Sequence, residues 1–493
     1  MRPPVKDAMR PARFAPSSAF PALLLALLST GCAVGAHYER PSLVDLTQFA
    51  QFKEADGWVP AAPADTLERG PWWQLFGDVQ LNALAAQVEV SNQNVAAAVA
   101  AYAQARALVR EQRASLFPTV SLDGSGNRSG ASGGSSNSSA GGSRVGNNFQ
   151  LGIGASWEPD VWGRLGRAVD GASASAQASA ADLAAARLSA QGELATNYLS
   201  LRQLDAQKAL LGTTLEGFQR TLTITQNRYN AGIATKTDVL QAQTQLANTQ
   251  ADDVGLVRQR AQLEHAIAVL VGQAPANFSL APLPANAWQP VVPDVPLGVP
   301  STLLQRRPDI AGAERRVAVA NEQIGIAKSA YYPSLNLSAS TSTSASRAAD
   351  LFTAGSGAWA LGLSAVQVLF NAGATGARVD GAQAAHEQAV ARYRQTVLTA
   401  FADVEDQLAA TRVLAAQQAL RQQASLAADQ VEQQTLNRYR AGQVSFTEVI
   451  TAQATALSAR RTLVQAMADR QTTAVALIQS LGGGWQGVAA ASP

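Results

Sequence analysis

The chain has 493 residues, 15% of them charged, and its formal net charge is +2 at pH 7. The basic excess lies in the first 31 residues. The remainder has 34 basic and 35 acidic residues, a balance that excludes a broadly basic nucleic-acid-binding protein. The single cysteine, Cys32, excludes an internal disulfide, and the three histidines are too far apart in sequence to indicate a metal site.

Residues 1–31 are typical of a signal peptide. A basic segment precedes the apolar run 20–28, which is too short to span a bilayer as a helix. Cys32 follows Ser-Thr-Gly, and this arrangement resembles a bacterial lipoprotein processing site. We therefore expect Cys32 to carry a covalent lipid; an ordinary signal peptide with an incidental cysteine is the alternative. Met1 and Met9 are both candidate start residues.

The first half of the mature chain predicts a helix, a β-hairpin and two more helices. After the N-terminal arm at 32–78, periodicity and a terminating proline predict a helix over about 79–116. The hairpin is expected over 118–157, where apolar and small residues alternate strictly near its end. Within it, residues 124–147 are almost entirely Gly, Ser, Asn and Ala and predict a flexible loop.

A very long helix is expected next. Residues 164–229 contain no proline, and as one helix they would extend about 100 Å. A shorter helix over about 235–271 completes the first structural repeat, 79–272, and a Pro-rich connector spans 273–306.

The same order of elements recurs over 307–481. A tail, 482–493, closes the chain. The predicted elements of this second repeat are a helix from 307 to about 332, a hairpin over 333–369 with a small-residue loop at 341–356, a long helix at 373–440 and a last helix at about 445–481.

One helix-ending motif occurs twice, 210 residues apart. Residues 228–239 read RYNAGIATKTDV, and residues 438–449 read RYRAGQVSFTEV. A glycine in each copy can take the left-handed conformation that closes a helix. Each copy then has a hydroxyl N-cap followed three residues later by an acidic residue, which is capping-box spacing. These pairs are Thr235 with Asp238 and Ser445 with Glu448.

Four strands with one apolar face cannot close a membrane barrel alone, because lipid tolerates no open sheet edge. Three chains would supply twelve strands, together with three sets of long helices. Oligomerisation therefore reconciles the hairpins with the helices that flank them.

Together these features resemble the outer membrane factor family of TolC-like and OprM-like efflux channels, and within it the NodT-type lipoproteins. The resemblance covers about residues 32–485. It depends on the Cys-x-x-Gly opening at 32–35, the Trp72-Trp73-x-x-Phe76-x-Asp78 segment, residues 157–163, 306–310 and 370–373, both turn motifs, and residues 481–485.

The resemblance implies a mainly α fold with a β-barrel: a trimeric 12-stranded transmembrane barrel, four strands per chain, continued by a long periplasmic α-helical barrel. It implies a homotrimer in the outer membrane of a Gram-negative bacterium, lipid-anchored and in contact with outer membrane lipid. Its partners would be a periplasmic adaptor and an inner membrane pump of the RND type. It implies passive conduction of substrates to the exterior, with no nucleic acid and with no cofactor beyond the lipid on Cys32.

In such channels the helical turns lie at the periplasmic tip, where the adaptor docks and the pore narrows. Carried over, the tip residues are Arg228, Tyr229, Gly232, Thr235, Asp238, Arg438, Tyr439, Gly442, Ser445 and Glu448. For most of these positions a purely structural capping role is the alternative, and both tyrosines are also compatible with simple packing beneath the turn.

The gate of this chain departs from the family pattern. OprM-like channels often carry an acidic residue and an arginine just after the second turn, but here Thr451 and Ala454 occupy those places. A latch made by that ion pair is not expected. Closure is predicted to depend on Arg438, Tyr439 or Arg440, so Tyr439→Phe with Arg440→Ala should raise conductance.

Two alternatives to the efflux channel remain from the sequence: a non-conducting, lipid-anchored helical spacer in the periplasm, and an exit duct for type I protein secretion. No catalytic motif was found, so an enzyme is not predicted. The sequence does not distinguish drugs, metals or other cargo, and it does not identify the pump.

Overall fold

The structure is a computed structural model that describes residues 38–40, 70–131, 144–284, 287–293, 307–353 and 355–483. The predicted signal peptide and the predicted lipid on Cys32 lie outside the described residues. So do most of the N-terminal arm, much of the connector and the tail beyond Gly483.

Seven α-helices and four β-strands make up most of the described chain. The helices are α1 (Val79–Ser91), α2 (Gln93–Ala114), α3 (Arg164–Asn230), α4 (Lys236–Leu270), α5 (Pro308–Ser329), α6 (Ala374–Arg440) and α7 (Phe446–Ser480). The strands are β1 (Thr119–Ala131), β2 (Arg144–Trp157), β3 (Ser334–Ala345) and β4 (Gly357–Val366). Short 3₁₀ helices lie at Trp72–Phe76, Pro275–Asn277 and Ala348–Asp350.

The helices repeat with equal lengths in the two halves. Helices α3 and α6 have 67 residues each, α4 and α7 have 35, and α2 and α5 have 22. The internal repeat expected from the two turn motifs is therefore present in these three pairs of helices.

The predicted single helix over 79–116 is wrong, because the chain breaks at Asn92 and the second segment ends at Ala114. Asn92 has an extended backbone, and its Oδ1 accepts hydrogen bonds from the N–H groups of Asn94 and Val95 at 2.9 and 3.1 Å. It therefore caps α2 as a new helix. Its Nδ2 also donates to the carbonyl of Leu270 at 2.8 Å, which ties this break to the end of α4.

The predicted hairpin loops were too long. Strand β1 continues to residue 131 and β2 begins at 144, so both ends of the predicted 124–147 loop are paired strand. Strand β3 likewise continues to 345, into the predicted 341–356 loop. Glycine, serine and asparagine are poor strand formers, but here neighbouring strands satisfy their backbone groups.

The four strands form one antiparallel sheet in the order β1-β2-β3-β4, so β1 and β4 are its edges. The pairing register gives the sheet one apolar face and one face of serine, glycine and asparagine. On the apolar face, exposed side chains include Val120, Leu122, Ile153, Trp359, Leu361 and Leu363.

Contacts divide the chain into two compact units. One contains the sheet and its flanking helix ends, mainly Leu108–Ser173 and Val319–His386. The other contains the described residues of Arg40–Ala107, Ala174–Ala318 and Glu387–Pro493.

The second unit has a core built around the 3₁₀ helix at Trp72–Phe76. Its aromatic side chains are buried and pack with apolar residues of α1, α3 and α7. Buried Tyr198 of α3 donates its hydroxyl to Asp78 Oδ2 at 2.7 Å, and the Arg202 guanidinium lies 4.8 Å from the centre of its ring. Asp78 also caps α1, so this contact connects a helix start to the core.

In the described part of the chain, none of the helices combines the length and apolar character needed to cross a bilayer.

Candidate functional site

The first turn motif ends α3 as the sequence predicts. Gly232 has a φ of +73°, and the N–H of Ile233 donates to the carbonyl of Arg228 at 2.8 Å. The N–H of Gly232 donates to the carbonyl of Tyr229 at 2.9 Å. These two bonds satisfy carbonyls that the helix end would otherwise leave unpaired.

The second turn motif ends α6 with the same hydrogen bonds. Gly442 has a φ of +77°, and Gln443 and Gly442 donate to the carbonyls of Arg438 and Tyr439, each at 2.9 Å. The two turns are therefore structural copies, and each connects a 67-residue helix to a 35-residue helix.

Both following helices begin with the expected capping pairs. Asp238 Oδ2 accepts from the Thr235 N–H at 2.9 Å, and Thr235 Oγ1 accepts from the Asp238 N–H at 3.2 Å. Glu448 accepts from the N–H and hydroxyl of Ser445, each at 3.3 Å. These four residues therefore stabilise the two helix starts within the single chain.

Tyr439 packs beneath the second turn. Its side chain is 4% exposed, and its ring lies 5.4 Å from that of Phe446. Tyr439, Phe446, Val449 and Ala242 form one buried apolar cluster, the tip cluster. Leu222 and Ile224 are partly buried against it. Since Ala242 belongs to α4 and Phe446 to α7, the cluster joins the two repeats.

Arg228 joins the turns directly. Its guanidinium lies 4.7 Å from the centre of the Tyr439 ring and donates to the carbonyl of Tyr439 at 3.0 Å. A longer contact of 3.5 Å reaches the carbonyl of Arg440. The cation thus sits at the negative C-terminal end of α6, where a positive charge is stabilising.

The equivalent residues of the other turn are arranged differently. Tyr229 is 38% exposed, and the Lys236 ammonium lies 5.6 Å from its ring centre. Arg438 and Arg440 are exposed. The structure therefore brings Arg228 and Tyr439 together but leaves the other predicted gate residues on the surface of this single chain.

The segment after the second turn carries no charged latch. Thr451 donates its hydroxyl to the carbonyl of Thr447 at 2.9 Å, and Ala454 is exposed. Gln453 is buried and donates to Thr221 Oγ1 of α3 at 3.3 Å.

Sequence reasoning missed the contact of Arg228 and the role of Phe446. The position of Phe446 directly after an N-cap was a usable signal, because an apolar residue in the first turn often packs inward. The Arg228–Tyr439 contact spans 211 residues and has no local signal. Among the residues that the structure describes, no group of three or more His, Cys, Asp or Glu could hold a metal ion.

Comparison with known proteins identifies the family. A family model described as outer membrane efflux protein matches residues 84–273 and 299–483, more than half of the chain. The chain belongs to the outer membrane efflux protein family. Both turn motifs lie inside the matched segments.

Two relatives and one solved structure align with nearly the whole chain. The pyoverdine export outer membrane protein OpmQ of Pseudomonas aeruginosa is 32% identical, over 94% of this chain and 97% of that protein. The cation efflux system protein CusC of Escherichia coli is 30% identical, over 94% and 98% respectively. A solved structure of the outer-membrane channel OprN has 29% identity and a TM-score of 0.81, covering 92% of this chain and all of that one.

This outer membrane efflux protein therefore has the predicted fold, that of the trimeric channels with a β-barrel and a helical barrel. Its predicted localisation in the outer membrane and its predicted role as an efflux channel are confirmed. The family is one of channels rather than enzymes. A non-conducting spacer does not agree with membership of this family.

Proposed function

We propose that three copies of this chain form the passive exit channel of a tripartite efflux system, with the paired turns as the docking end for a periplasmic adaptor. The observation that carries this proposal is the contact between the two turns. Arg228 and the tip cluster hold two structurally equivalent helix ends side by side, although they lie about 210 residues apart in the chain.

The exposed part of each turn is available for docking. Ile233 is 67% exposed, and its counterpart Gln443 is also exposed, as are Gly232 and Gly442. The capping bonds and the tip cluster lie beneath them, so a partner would meet a rigid backbone with little to reorganise. Such preorganisation lowers the entropic cost of association.

Closure of the tip is the second part of the proposal. The hydroxyl of Tyr439 is buried without a hydrogen-bond partner among the described residues, so a latch made by that hydroxyl within one chain has no support. We propose instead that the Arg228 guanidinium restrains the end of α6. It holds the end of α6 through two backbone carbonyls and the aromatic ring.

The cargo is not set by the family alone. One relative is named for pyoverdine export and another for cation efflux, although both align with this chain over 94% of its length. We propose that the pump and adaptor select the substrate and that this chain supplies the duct.

Docking is tested at the two exposed, equivalent positions. Ile233→Glu combined with Gln443→Glu should abolish efflux-dependent resistance in cells that lack their own channel, because two carboxylates per chain oppose docking on the apolar and amide surface. Glu216→Gln is the matched control, since this exposed residue lies on the side of α3, away from the turn.

The purified variant should remain trimeric and conduct ions normally in planar bilayers. Full efflux by the double variant would overturn docking at the turns. Loss of conductance together with loss of resistance would show a folding defect, and loss of resistance alone would support the proposal.

A further inference from the structure

The chain makes two kinds of contact where the strands meet the helices. One kind is present in both repeats, whereas the other is present only once in the single chain. All four strands join helices at the same end of the sheet. The four junctions are 115–118, 158–163, 330–333 and 367–373. Because the two halves repeat, each contact made by one half predicts a counterpart made by the other.

The first kind of contact lies within each repeat and is present twice. In the first repeat, Trp157 Nε1 donates to the carbonyl of Leu116 at 2.9 Å. In the second, Gln367 Nε2 donates to the carbonyl of Tyr331 at 3.2 Å. Gln367 follows Trp157 by 210 residues and Tyr331 follows Leu116 by 215, which are the offsets of the flanking helices. The junctions are therefore structurally equivalent.

The second kind of contact runs from the first repeat to the second. The Trp162 ring stacks on Tyr332 with a centroid distance of 4.8 Å, and its Nε1 donates to the carbonyl of Pro333 at 2.7 Å. The residues equivalent to Tyr332 and Pro333 are Phe117 and Pro118. Among the residues that the structure describes, no aromatic ring stacks on Phe117, and this residue is 68% exposed in the single chain.

The second repeat offers an apolar group for this position. Leu369 and Phe370 are 92% and 87% exposed in the single chain. They follow β4, which is one edge of the sheet, whereas Phe117 precedes β1, the other edge. When three sheets close into a barrel, β4 of one copy must lie beside β1 of the next, because no edge can remain open in lipid.

We propose that Leu369 and Phe370 of one copy pack on Phe117 of the next copy, as the counterpart between copies of the Trp162–Tyr332 stack within each chain. The ring would then have six contacts of this second kind, three within chains and three between them. Ala372 replaces Trp162 at the equivalent position, so the contact between copies lacks the indole donor and is purely apolar. It would exclude water at the seam where two chains meet.

The experiment is photo-crosslinking in the assembled, membrane-embedded trimer. We would place the photoreactive amino acid benzoylphenylalanine at Phe370, where its aromatic ring fits the native environment. Illumination is expected to give a covalent dimer of this chain, and Phe117→Ala in the same chain should lower its yield severalfold. Mass spectrometry should locate the crosslink in the 115–118 segment.

Ile153 is the matched control position for lipid contact. It lies on the apolar face of β2, a strand with neighbours on both sides within its own chain, and its side chain is half exposed. The same probe there is expected to label lipid and to give no covalent dimer. A probe at Phe370 that labels only lipid, or that links to a segment away from Phe117, would overturn the proposal.

A second measurement keeps the proposal testable if the probe prevents assembly. Phe117→Cys with Phe370→Cys should give reducible covalent trimers under mild oxidation, whereas each single variant should not. Trp162→Cys with Tyr332→Cys should instead crosslink within the chain and leave monomers on denaturing gels. Assembled double-variant trimers at 117 and 370 that stay uncrosslinked, while the control pair reacts, would also overturn it.

Discussion

Arg228 and Tyr439 illustrate how two residues of one motif acquire different tasks when the motif is duplicated. Arg228 reaches across to the other repeat, whereas its counterpart Arg438 is exposed. Tyr439 is 4% exposed, whereas its counterpart Tyr229 is 38% exposed. The same residue type therefore has different contacts in the two copies of the motif.

Removing the Arg228 cation should loosen the end of α6. Arg228→Ala loses a cation–π contact and hydrogen bonds to backbone carbonyls, together worth about 1–3 kcal/mol per chain. We expect a higher single-channel conductance in planar bilayers, with Tyr439→Phe close to wild type because its hydroxyl has no partner among the described residues. Equal conductance of Arg228→Ala, wild type and the exposed control Arg220→Ala would contradict this restraint.

Ionisation of the buried Tyr198 hydroxyl is expected to destabilise the trimer at alkaline pH. Burial raises the pKa of Tyr198 well above its ordinary value, an effect that its bond to Asp78 reinforces and the nearby Arg202 guanidinium opposes. A raised folded pKa means that the stability contribution is complete below the unfolded pKa of about 10 and is lost as the pH rises towards the folded value. The melting temperature of the trimer should therefore fall above about pH 10.

Tyr198→Phe tests this assignment. The variant should melt at a lower temperature at neutral pH, because Asp78 loses a hydrogen bond, and should show a flatter decline at alkaline pH. Tyr229→Phe, at the exposed tip, should change neither. An unchanged alkaline slope in Tyr198→Phe would exclude this residue as the cause.

At the scale of elements, a side chain donates a hydrogen bond to the last carbonyl of each 35-residue helix. The two donors occupy equivalent positions in the two repeats but are different residue types. Asn92 donates to the carbonyl of Leu270 at the end of α4. Arg307, 215 residues later, donates to the carbonyl of Ser480 at the end of α7, at 3.2 Å. Arg307 also pairs with Asp309 and Asp403 at 2.9 and 3.1 Å, so the second joint is ionic where the first is neutral.

Asn92→Ala should destabilise the trimer more than a typical surface change. It removes a helix cap worth about 1 kcal/mol and also leaves the Leu270 carbonyl without its side-chain donor. The melting temperature should fall clearly, whereas Asn94→Ala, at an exposed position two residues later, should have little effect. Equal melting temperatures for the two variants would show that the break at Asn92 is held by packing instead.

At the scale of the whole molecule, the two faces of the sheet predict opposite tolerance to charge. A lysine near the bilayer midplane costs about 2–4 kcal/mol on a lipid-facing position and little on a lumen-facing one. Ile153→Lys should therefore deplete assembled trimer from outer membranes, while Ser340→Lys on the polar face should not. Membrane fractionation and native gels measure this, and equal depletion would show that the faces are assigned incorrectly.

The sequence predicted the helices of this chain to within about two residues at most of their ends, because glycines and capping pairs mark them physically. It did not predict the break at Asn92, which interrupts an otherwise continuous helical pattern. It also shortened the strands, since residues 124–131 lack the apolar alternation that indicates a strand. The Arg228–Tyr439 contact lay beyond local reasoning because it depends on how the two repeats pack.

The repeated junctions have a consequence for how the joints of the ring can differ from one another. Two structurally equivalent halves in one polypeptide are separately encoded, so each can change without altering the other. Here one half has a tryptophan that contacts its own chain, and the other has an alanine beside two exposed apolar residues. A chain with a single hairpin would need six identical copies to supply twelve strands, and all of its joints would then be the same. With two hairpins in one chain, the joint within a chain and the joint between chains can carry different side chains, as Trp162 and Ala372 do at equivalent positions.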